Sequence, residues 1–218
     1  DFTIHAHPDL TKLFSPLFEY FCQEFPFSVH FEPYTPYKSE VIYDDKSVKI
    51  TTLPLKHRVP CSGFLFEEKG LTKHLNRRMA DAYNVPISKF KEIKEGADFV
   101  TDDGEVIPNE VLTTPADTPK KYAFMSDTAY SEKNLDLVYG ADCLYHEATF
   151  LKEDSVRSKL TLHSSAADAA LFAKKANVKQ LIIGHFSSRY KDVSLFLNEA
   201  KQIFDNTYLA SDGKVFVF

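Results

Sequence analysis

The chain has 218 residues, of which 44% are hydrophobic and 26% are charged, and its formal net charge is −5 at pH 7. A chain of this length can bury the core of one sizeable α/β domain or of two small ones. The negative net charge excludes a surface that is basic all over, so any binding to nucleic acid must come from a local patch.

The first part of the chain predicts short strands around amphipathic helices. A helix begins with Asp9 as its cap and runs to about Glu24, because apolar residues recur there at helical spacing. A second predicted helix, Leu71–Asn84, is followed by a connector that contains proline and lysine, Val85–Gly96. The predicted strands are Thr3–Ala6, Phe27–Pro33, Val41–Tyr43, Val48–Leu55 and Gly63–Glu67.

The last hundred residues predict strands that alternate with helices, which is typical of the α/β class. The predicted strands are Tyr122–Met125, Cys143–Tyr145 and Gln180–Gly184, and the helices lie near Glu132–Tyr139, Ser165–Ala176 and Ser194–Phe204. Ser165 and Asp168 have the spacing of a capping box. We expect Thr207–Leu209 and Val215–Phe218 to form a closing hairpin.

Several features argue against a secreted or membrane protein. The cysteines Cys22, Cys61 and Cys143 are odd in number, and no CxxC pair occurs, so we expect a reducing cytoplasm. Apolar runs such as Leu181–Ile183 are far shorter than the ~18 residues of a membrane helix. The chain opens at Asp1 without a basic signal region, and we expect it to be a fragment or a processed product. Neither GxGxxG nor GxxxxGK[ST] occurs, which excludes the usual nucleotide-binding loops.

Four of the predicted strands end at a residue that can bind a metal or a proton. These residues are His57, Asp127, Glu147 and His185. In open α/β sheets the functional groups gather beyond the carboxyl ends of the strands, so we expect the four to converge. A fifth candidate, His163, precedes the capped helix, and the N-terminus of a helix favours anions such as phosphate.

Histidine and aspartate together suit Zn²⁺, or Mn²⁺ in a looser site, and the lack of a cysteine cluster favours hydrolytic over structural zinc. Two metals roughly 3.5–4 Å apart can hold both oxygens of a phosphodiester displacement. Simpler readings exist for each residue alone. His57 and His185 could be surface or core histidines, Asp127 a turn residue, Glu147 half of a surface ion pair and His163 an incidental neighbour of the cap.

Five motifs in order resemble those of the RNase Z family. His146–Phe150 reads H-E-A-T-F, which is unchanged from the family, and the others follow the family pattern closely: His57–Glu68, Ser126–Thr128, His163–Ala166 and Gly184–Tyr190. The resemblance covers essentially the whole chain. It implies one αββα metallo-β-lactamase-fold sandwich over residues 1–218 with its N-terminal part missing.

The resemblance also implies the roles of the candidate residues. His57 would bind the first zinc, Asp127 would bridge both ions and His185 would bind the second. His163, oriented by Glu147, would donate a proton to the leaving 3′-oxygen.

For the phosphate, the resemblance implies contacts from Arg189 and Ser187, because a planar guanidinium suits bidentate contact with phosphate.

The family motif H-x-H-x-D-H, which supplies further zinc ligands, does not occur in the sequence. His5, His7 and Asp9 share its first spacings, but Leu10 stands where the final histidine belongs, so we treat them as a decoy. Because only some ligands of the site remain, we expect this chain alone to hold zinc weakly and to be inactive.

RNase Z enzymes grip tRNA with an arm, which we place at residues 69–95. The Gly-Pro pair common in that arm is absent from Val85–Lys94. The charge fits a phosphate contact, because residues 69–94 hold seven Lys or Arg and two acids, with Lys89, Lys91 and Lys94 as the leading candidates.

The resemblance implies an endoribonuclease that removes the 3′ trailer from precursor tRNA and acts as a homodimer. It would leave a 3′-hydroxyl on the tRNA and a 5′-phosphate on the trailer. One alternative is another hydrolase of the same fold that acts on small phosphodiesters or sulfate esters. The other is a non-catalytic fragment whose exposed sheet edge associates with another chain.

Overall fold

Strands and short helices alternate along the computed structural model, which describes residues 1–22 and 26–218. The strands are β1 Phe2–Ala6, β2 Val29–Pro33, β3 Val41–Asp44, β4 Val48–Pro54, β5 Ser62–Glu68, β6 His74–Leu75, β7 Phe99–Val100, β8 Val106–Ile107, β9 Thr113–Thr114, β10 Lys121–Met125, β11 Cys143–Glu147, β12 Gln180–Gly184 and β13 Thr207–Leu209. The helices are α1 Asp9–Phe21, α2 Arg77–Ala82, α3 Phe90–Lys94, α4 Asn109–Leu112, α5 Leu135–Val138, α6 Ser155–Thr161, α7 Ala166–Lys175 and α8 Ser194–Lys201. Single 3₁₀ turns at Ile87–Lys89, Glu132–Asn134 and Lys152–Asp154 lead into α3, α5 and α6.

Within the described residues, a seven-stranded mixed sheet organises the unit formed by Asp1–Glu67 and Lys120–Phe218. Its strand order is β13-β12-β11-β10-β5-β4-β3. Strands β10 to β13 are parallel, so their carboxyl ends meet at one edge. Strand β5 runs antiparallel to β10, with Lys121 opposite Glu67. The predicted α/β class is confirmed.

The core of this unit lies between the sheet and its helices. Leu144 and Ile183 of the sheet are fully buried with Phe172 of α7 and Phe196 of α8. Helix α7 is rich in alanine, and side chains this small let its backbone approach the sheet closely. The predicted capping box at Ser165 is confirmed, because Ser165 and Asp168 bond each other's backbone N–H groups.

Aromatic rings cover the opposite face of the sheet. Tyr122 alternates with the buried core residues of β10 and stacks on Phe66 at a centroid distance of 5.8 Å and on Phe218 at 5.9 Å. The prediction of a closing hairpin is wrong, because β13 pairs in parallel with β12 and residues 214–218 form no strand. The C-terminal residues do not pair with β13, and the ring of Phe218 instead stacks on the ring of Tyr122.

Residues Glu68–Pro119 form a second unit with its own small core. The core consists of Ala80, Val85, Ile93, Ile107 and Leu112. Buried Asn109 connects its pieces, because the side-chain amide donates to the carbonyls of Ile93 and Ala97 at 2.7 and 2.8 Å. These bonds satisfy the buried amide group and fix the chain around it.

Two element predictions in the second unit are wrong. The helix predicted over Leu71–Asn84 begins only at Arg77, because the side chain of Asn76 caps it by accepting from Met79 N. His74–Leu75 instead forms a strand that pairs with β9. The connector predicted over Val85–Gly96 contains α3, whose Ile93 is buried in the core.

The N-terminal segment pairs β1 with β2 in parallel and carries α1 between them. Asp9 is the first residue of α1 and does not cap it, since Pro8 is the N-cap and Asp9 pairs with Lys12 at 2.9 Å. The predicted helix end at Glu24 lies outside the described residues. Among the residues that are described, no helix combines the length and apolar character of a membrane span.

Candidate active site

The predicted candidates meet at the carboxyl edge of the parallel strands. The rings of His57 and His163 lie 4.8 Å apart between centroids, and those of His163 and His185 are stacked at 5.3 Å. His185 Nε2 lies 3.2 Å from Asp127 Oδ1. Residues from the ends of β4, β10 and β12 are therefore brought together around His163, which comes from the loop between α6 and α7.

Glu147, the last residue of β11, is fully buried at the base of this cluster. Its Oε1 accepts from Thr128 N and from His163 Nδ1, both at 2.7 Å. Its Oε2 accepts from Thr149 Oγ1 at 2.5 Å and from the backbone N–H groups of Thr149 and Ser164 at 3.2 Å. A buried carboxylate with this many donors is held in one position, and it holds His163 in turn.

The hydrogen bonds at Nδ1 decide which nitrogen each histidine presents. His57 Nδ1 lies 3.1 Å from the carbonyl of Leu162, which can only accept, so Nδ1 carries the proton. The single hydroxyl proton of Thr149 goes to Glu147, so Thr149 accepts from His185 Nδ1 at 2.8 Å. Both histidines therefore present Nε2 as a lone-pair donor, as metal ligands require.

The backbone is strained at the same edge. Asp127 has φ 53°, His185 has φ 61° and Leu162 has φ 58°, in the left-handed region that non-glycine residues seldom occupy. Each such residue costs about 1–3 kcal/mol, and the strain persists only where the surroundings impose it. The bonds from Ala129 N to Lys56 O and from Lys56 N to Thr128 Oγ1 tie the β4 and β10 loops together here.

The donor set of the cluster fits a divalent transition metal. Two overlapping triads place their ligand atoms within 4.8 Å of one another: His57 with Asp127 and His163, and Glu147 with His163 and His185. Imidazole nitrogens with a carboxylate oxygen are the ligands of catalytic zinc sites. Glu147 already accepts hydrogen bonds at both oxygens, which favours an orienting role for it over direct metal binding.

Two other titratable groups near the cluster belong to neither metal-capable triad of the described residues. Burial lowers the pKa of His146, and its ring packs on Phe172, so it is a neutral core histidine. Burial, together with the charges of Asp127 and Glu147, raises the pKa of Cys61 to about 11. Without a bound metal, the Cys61 side chain is therefore a thiol at neutral pH, and it belongs to neither metal-capable triad of the described residues.

The predicted phosphate-binding residues lie in the loop after β12. Ser187 N donates to Thr149 O at 3.1 Å, which ties this loop to the cluster. The side chain of Arg189 is exposed. Within the described residues, neither metal-capable triad includes His5, His7 or Asp9. His7 instead accepts from the backbone N–H of Asp9 at 3.2 Å.

The second unit carries charges of both signs. Lys89 and Lys91 are exposed, Lys94 is half-buried, and Lys89 pairs with Glu92 at 3.0 Å. Residues 95–117 contain seven acids and no Lys or Arg: Glu95, Asp98, Asp102, Asp103, Glu105, Glu110 and Asp117. Counting charge over residues 69–94 alone missed this acidic half.

Sequence reasoning also missed Thr149 and the carbonyl of Leu162, which orient two of the histidines. Thr149 is the threonine of the H-E-A-T-F motif, so a signal for it was present. No signal in the sequence marks Leu162, because its contribution is a backbone oxygen in a left-handed turn.

Comparison with known proteins finds sequence relatives named ribonuclease Z. No protein-family model matches the chain. The chain is 50% identical to a ribonuclease Z of Bacteroides thetaiotaomicron over 213 residues, which are 98% of this chain and 67% of the relative. It is 46% identical to a ribonuclease Z of Phocaeicola vulgatus over 209 residues, which are 96% of this chain and 68% of the relative. The chain thus spans about two thirds of the length of these relatives.

Solved structures share the fold at low sequence identity. The short form of human tRNase Z has a TM-score of 0.60 at 19% identity, covering 99% of this chain and 66% of its own. A metallo-β-lactamase-fold protein of Bacillus subtilis has a TM-score of 0.61 at 15% identity, covering 99% and 65%. Zn²⁺-bound PqqB of Methylobacterium extorquens has a TM-score of 0.55 at 14% identity, covering 100% and 62%. The predicted metallo-β-lactamase fold is confirmed.

Proposed function

The chain belongs to the ribonuclease Z family, and we propose that it cuts precursor tRNA to remove the 3′ trailer. The observation that carries this proposal is the junction of His57, Asp127, His163 and His185 over buried Glu147, in a chain 50% identical to a ribonuclease Z. The products would be a tRNA with a 3′-hydroxyl and a trailer with a 5′-phosphate.

We propose that His57, Asp127 and His185 bind zinc through the two Nε2 atoms and the carboxylate. His57 and Asp127 belong to one triad, His185 belongs to the other, and the 3.2 Å between His185 Nε2 and Asp127 Oδ1 connects them. When bound, zinc supplies an activated water and neutralises charge that develops on the phosphate. Two zinc ions need more ligands than these three side chains offer, so we propose that further ligands come from outside residues 1–218. The chain alone would then bind zinc weakly and lack activity.

In this proposal, Glu147 and His163 work as a pair. Glu147 holds the imidazole through Nδ1, so Nε2 is the atom that gives its proton to the leaving 3′-oxygen of the tRNA. The carboxylate also stabilises the charged imidazole before the proton leaves. Thr128 N and Ser164 N keep Glu147 fixed while the charge on the ring changes.

We propose that Arg189 and Ser187 contact the scissile phosphate from the loop after β12, because the bond from Ser187 N to Thr149 O ties that loop to the cluster. Lys89, Lys91 and Lys94 would contact the tRNA backbone from the inserted segment 69–95. Phosphate contacts of this kind position the substrate without reading its sequence.

We also propose that the enzyme is a cytoplasmic homodimer. The three cysteines are all unpaired, which fits a reducing compartment, and the dimer rests on the resemblance to RNase Z. Light scattering at several concentrations tests the dimer, and a mass equal to one chain at all of them would contradict it.

Metal analysis together with cleavage of a precursor tRNA by the full-length protein tests the proposed function. We expect about two zinc ions per chain and one cut at the 3′ side of the acceptor stem, lost after chelation and restored by zinc. Rapid turnover of bis(4-nitrophenyl) phosphate without any tRNA cut would favour a small-diester hydrolase. Absence of both metal and activity would favour a non-catalytic protein.

A further inference from the structure

A cavity of about 420 Å³ is lined in part by His163 and has an unusual combination of side chains. Two lysines line it, Lys56 after β4 and Lys159 on α6, together with the ring of Tyr130. A cavity of this size is large enough for one nucleotide. Its lining is therefore suited to a phosphate and an aromatic base beside a proton donor.

Both lysines stand on backbone that is connected to the catalytic cluster. Lys56 precedes His57, and its backbone bonds Thr128 Oγ1 at 3.1 Å and Ala129 N at 2.8 Å. Next to Lys159, the Ser158 hydroxyl donates to His163 O at 2.6 Å, and His163 N donates to Ser158 O at 3.0 Å. The backbone that carries the two lysines is thus fixed relative to His163.

One carboxylate, Asp168, also lines the cavity, so its charge must be weighed against the lysines. Its Oδ2 accepts from Ser165 N at 3.0 Å and from Ser165 Oγ at 2.8 Å, which commits this oxygen to capping α7. The two lysine charges outnumber the single charge of Asp168, which is already hydrogen-bonded to Ser165. The net charge of the lining is therefore positive and favours binding of an anion.

Tyr130 offers a fixed ring. It packs against the hydrophobic core, and its hydroxyl donates to Glu132 Oε1 at 2.9 Å, while Glu132 in turn pairs with Lys175. A base can stack on such a ring without sequence-specific contacts.

We propose that this cavity binds the nucleotide that remains at the 3′ end of the tRNA, with its base on Tyr130 and its 5′ phosphate on Lys56 and Lys159. The inference rests on the proposed function, because His163 protonates the 3′-oxygen of that nucleotide. The nucleotide must therefore lie beside His163. A second cavity, of about 360 Å³, is also lined by His163, together with His57 and Arg58, but its lining contains no Tyr, Phe or Trp ring. Of the two, the cavity with Tyr130 is the one suited to stacking a base.

The test uses the full-length, zinc-loaded enzyme and precursor tRNAs that differ at one phosphate. One substrate carries an uncharged methylphosphonate in place of the phosphate 5′ to the last retained nucleotide. A matched substrate carries the methylphosphonate in place of the first phosphate after the scissile one, inside the trailer. On the unmodified substrate, the double variant K56A/K159A should lose about tenfold in kcat/KM. The wild-type enzyme should lose about as much on the first modified substrate, and the variant should lose nothing further on it.

The assignment would be overturned if the losses in kcat/KM from K56A/K159A and from the methylphosphonate were additive on the first substrate. It would also be overturned if these two losses were non-additive on the substrate modified in the trailer. Lys201→Ala, an exposed lysine of α8, is the matched control and should leave all rates unchanged. If the wild-type enzyme cuts none of the substrates, the proposed function fails, which is a different outcome.

A second experiment tests the ring of Tyr130. Tyr130→Phe should keep the wild-type preference for a substrate with a base over one with an abasic last nucleotide, and Tyr130→Leu should lose this preference.

Discussion

The two units of the chain hold their functional side chains in opposite ways. Around Glu147, the oriented side chains are bonded within the cluster, as His163 is to Glu147 at 2.7 Å, and His57 and His163 are half-buried while His185 is exposed. In the second unit, Lys89 and Lys91 lie on the surface, and Lys89 pairs only locally with Glu92. A buried network makes chemistry depend on single atoms, whereas a surface patch spreads binding over many charges. Substitutions should therefore have large effects in the first unit and graded effects in the second.

The largest effect is expected at Asp127. Asp127→Asn should lower precursor tRNA cleavage by about 1000-fold, because an amide would replace the proposed anionic ligand of a metal that supplies several kcal/mol of stabilisation. Asparagine tolerates the positive φ at this position, so the fold should persist. Zinc content and single-turnover rates measure the result. The matched control, Asp136→Asn on an exposed turn of α5, should change neither. Wild-type rates in Asp127→Asn would remove the residue from the site.

Glu147→Gln comes next, with an expected loss of about 10- to 100-fold in kcat. The amide places an NH₂ group where backbone N–H donors and the His163 ring converge, so the imidazole loses its anionic partner. KM for tRNA should stay within about twofold and zinc should be retained. Loss of zinc in step with activity would instead make Glu147 a ligand.

Core truncation tests whether the units are stable independently. Ile93→Ala in the second unit and Leu144→Ala in the first should each cost about 2–5 kcal/mol, because both side chains are fully buried. Hydrogen exchange should show faster amides only in the unit that carries the substitution. Faster exchange in both units from Ile93→Ala would mean that they unfold together.

The lysines of α3 and the turn before it should have a smaller effect. Replacing Lys89, Lys91 and Lys94 with alanine should raise KM for precursor tRNA about tenfold and reduce the salt dependence of binding. Hydrolysis of bis(4-nitrophenyl) phosphate should not change. The matched opposite change, Asp102→Asn with Asp103→Asn, should strengthen tRNA binding about twofold, because it weakens the acidic half of the same unit. An equal loss on both substrates would argue against RNA binding by these lysines.

The smallest effect concerns His146. Burial lowers its pKa below the ordinary 6.5, so folding favours the neutral ring. Its contribution to stability is complete above pH 6.5 and is lost as the pH falls below that value, because the unfolded state then binds a proton first. NMR of the imidazole should show a neutral His146 ring at pH 6. A ring that titrates at or above pH 6.5 would contradict burial as the dominant cause.

The sequence predicted the site better than the surroundings that hold it. Strand ends in a parallel sheet converge by geometry, so His57, Asp127, Glu147 and His185 could be placed from residue order alone. The Leu162 carbonyl could not, because its position depends on a left-handed turn set by tertiary contacts.

In the second unit, helical spacing was misleading. A two-residue strand pairing at His74–Leu75 and an Asn76 cap override the apolar pattern of Leu71–Asn84. Local charge counting failed for a similar reason, since the balancing acids lie later in the same unit.

Removal of the whole second unit tests the division of labour most directly. Glu67 and Lys121 are paired on antiparallel strands, so an Asn-Gly turn in place of residues 68–120 would close an ordinary hairpin. In the full-length, zinc-loaded enzyme, we predict bis(4-nitrophenyl) phosphate hydrolysis within about twofold of wild type and a loss of about 100-fold in kcat/KM on precursor tRNA. An equal loss on both substrates, with zinc retained and the fold intact, would show that the second unit is part of the catalytic machinery and contradict the account.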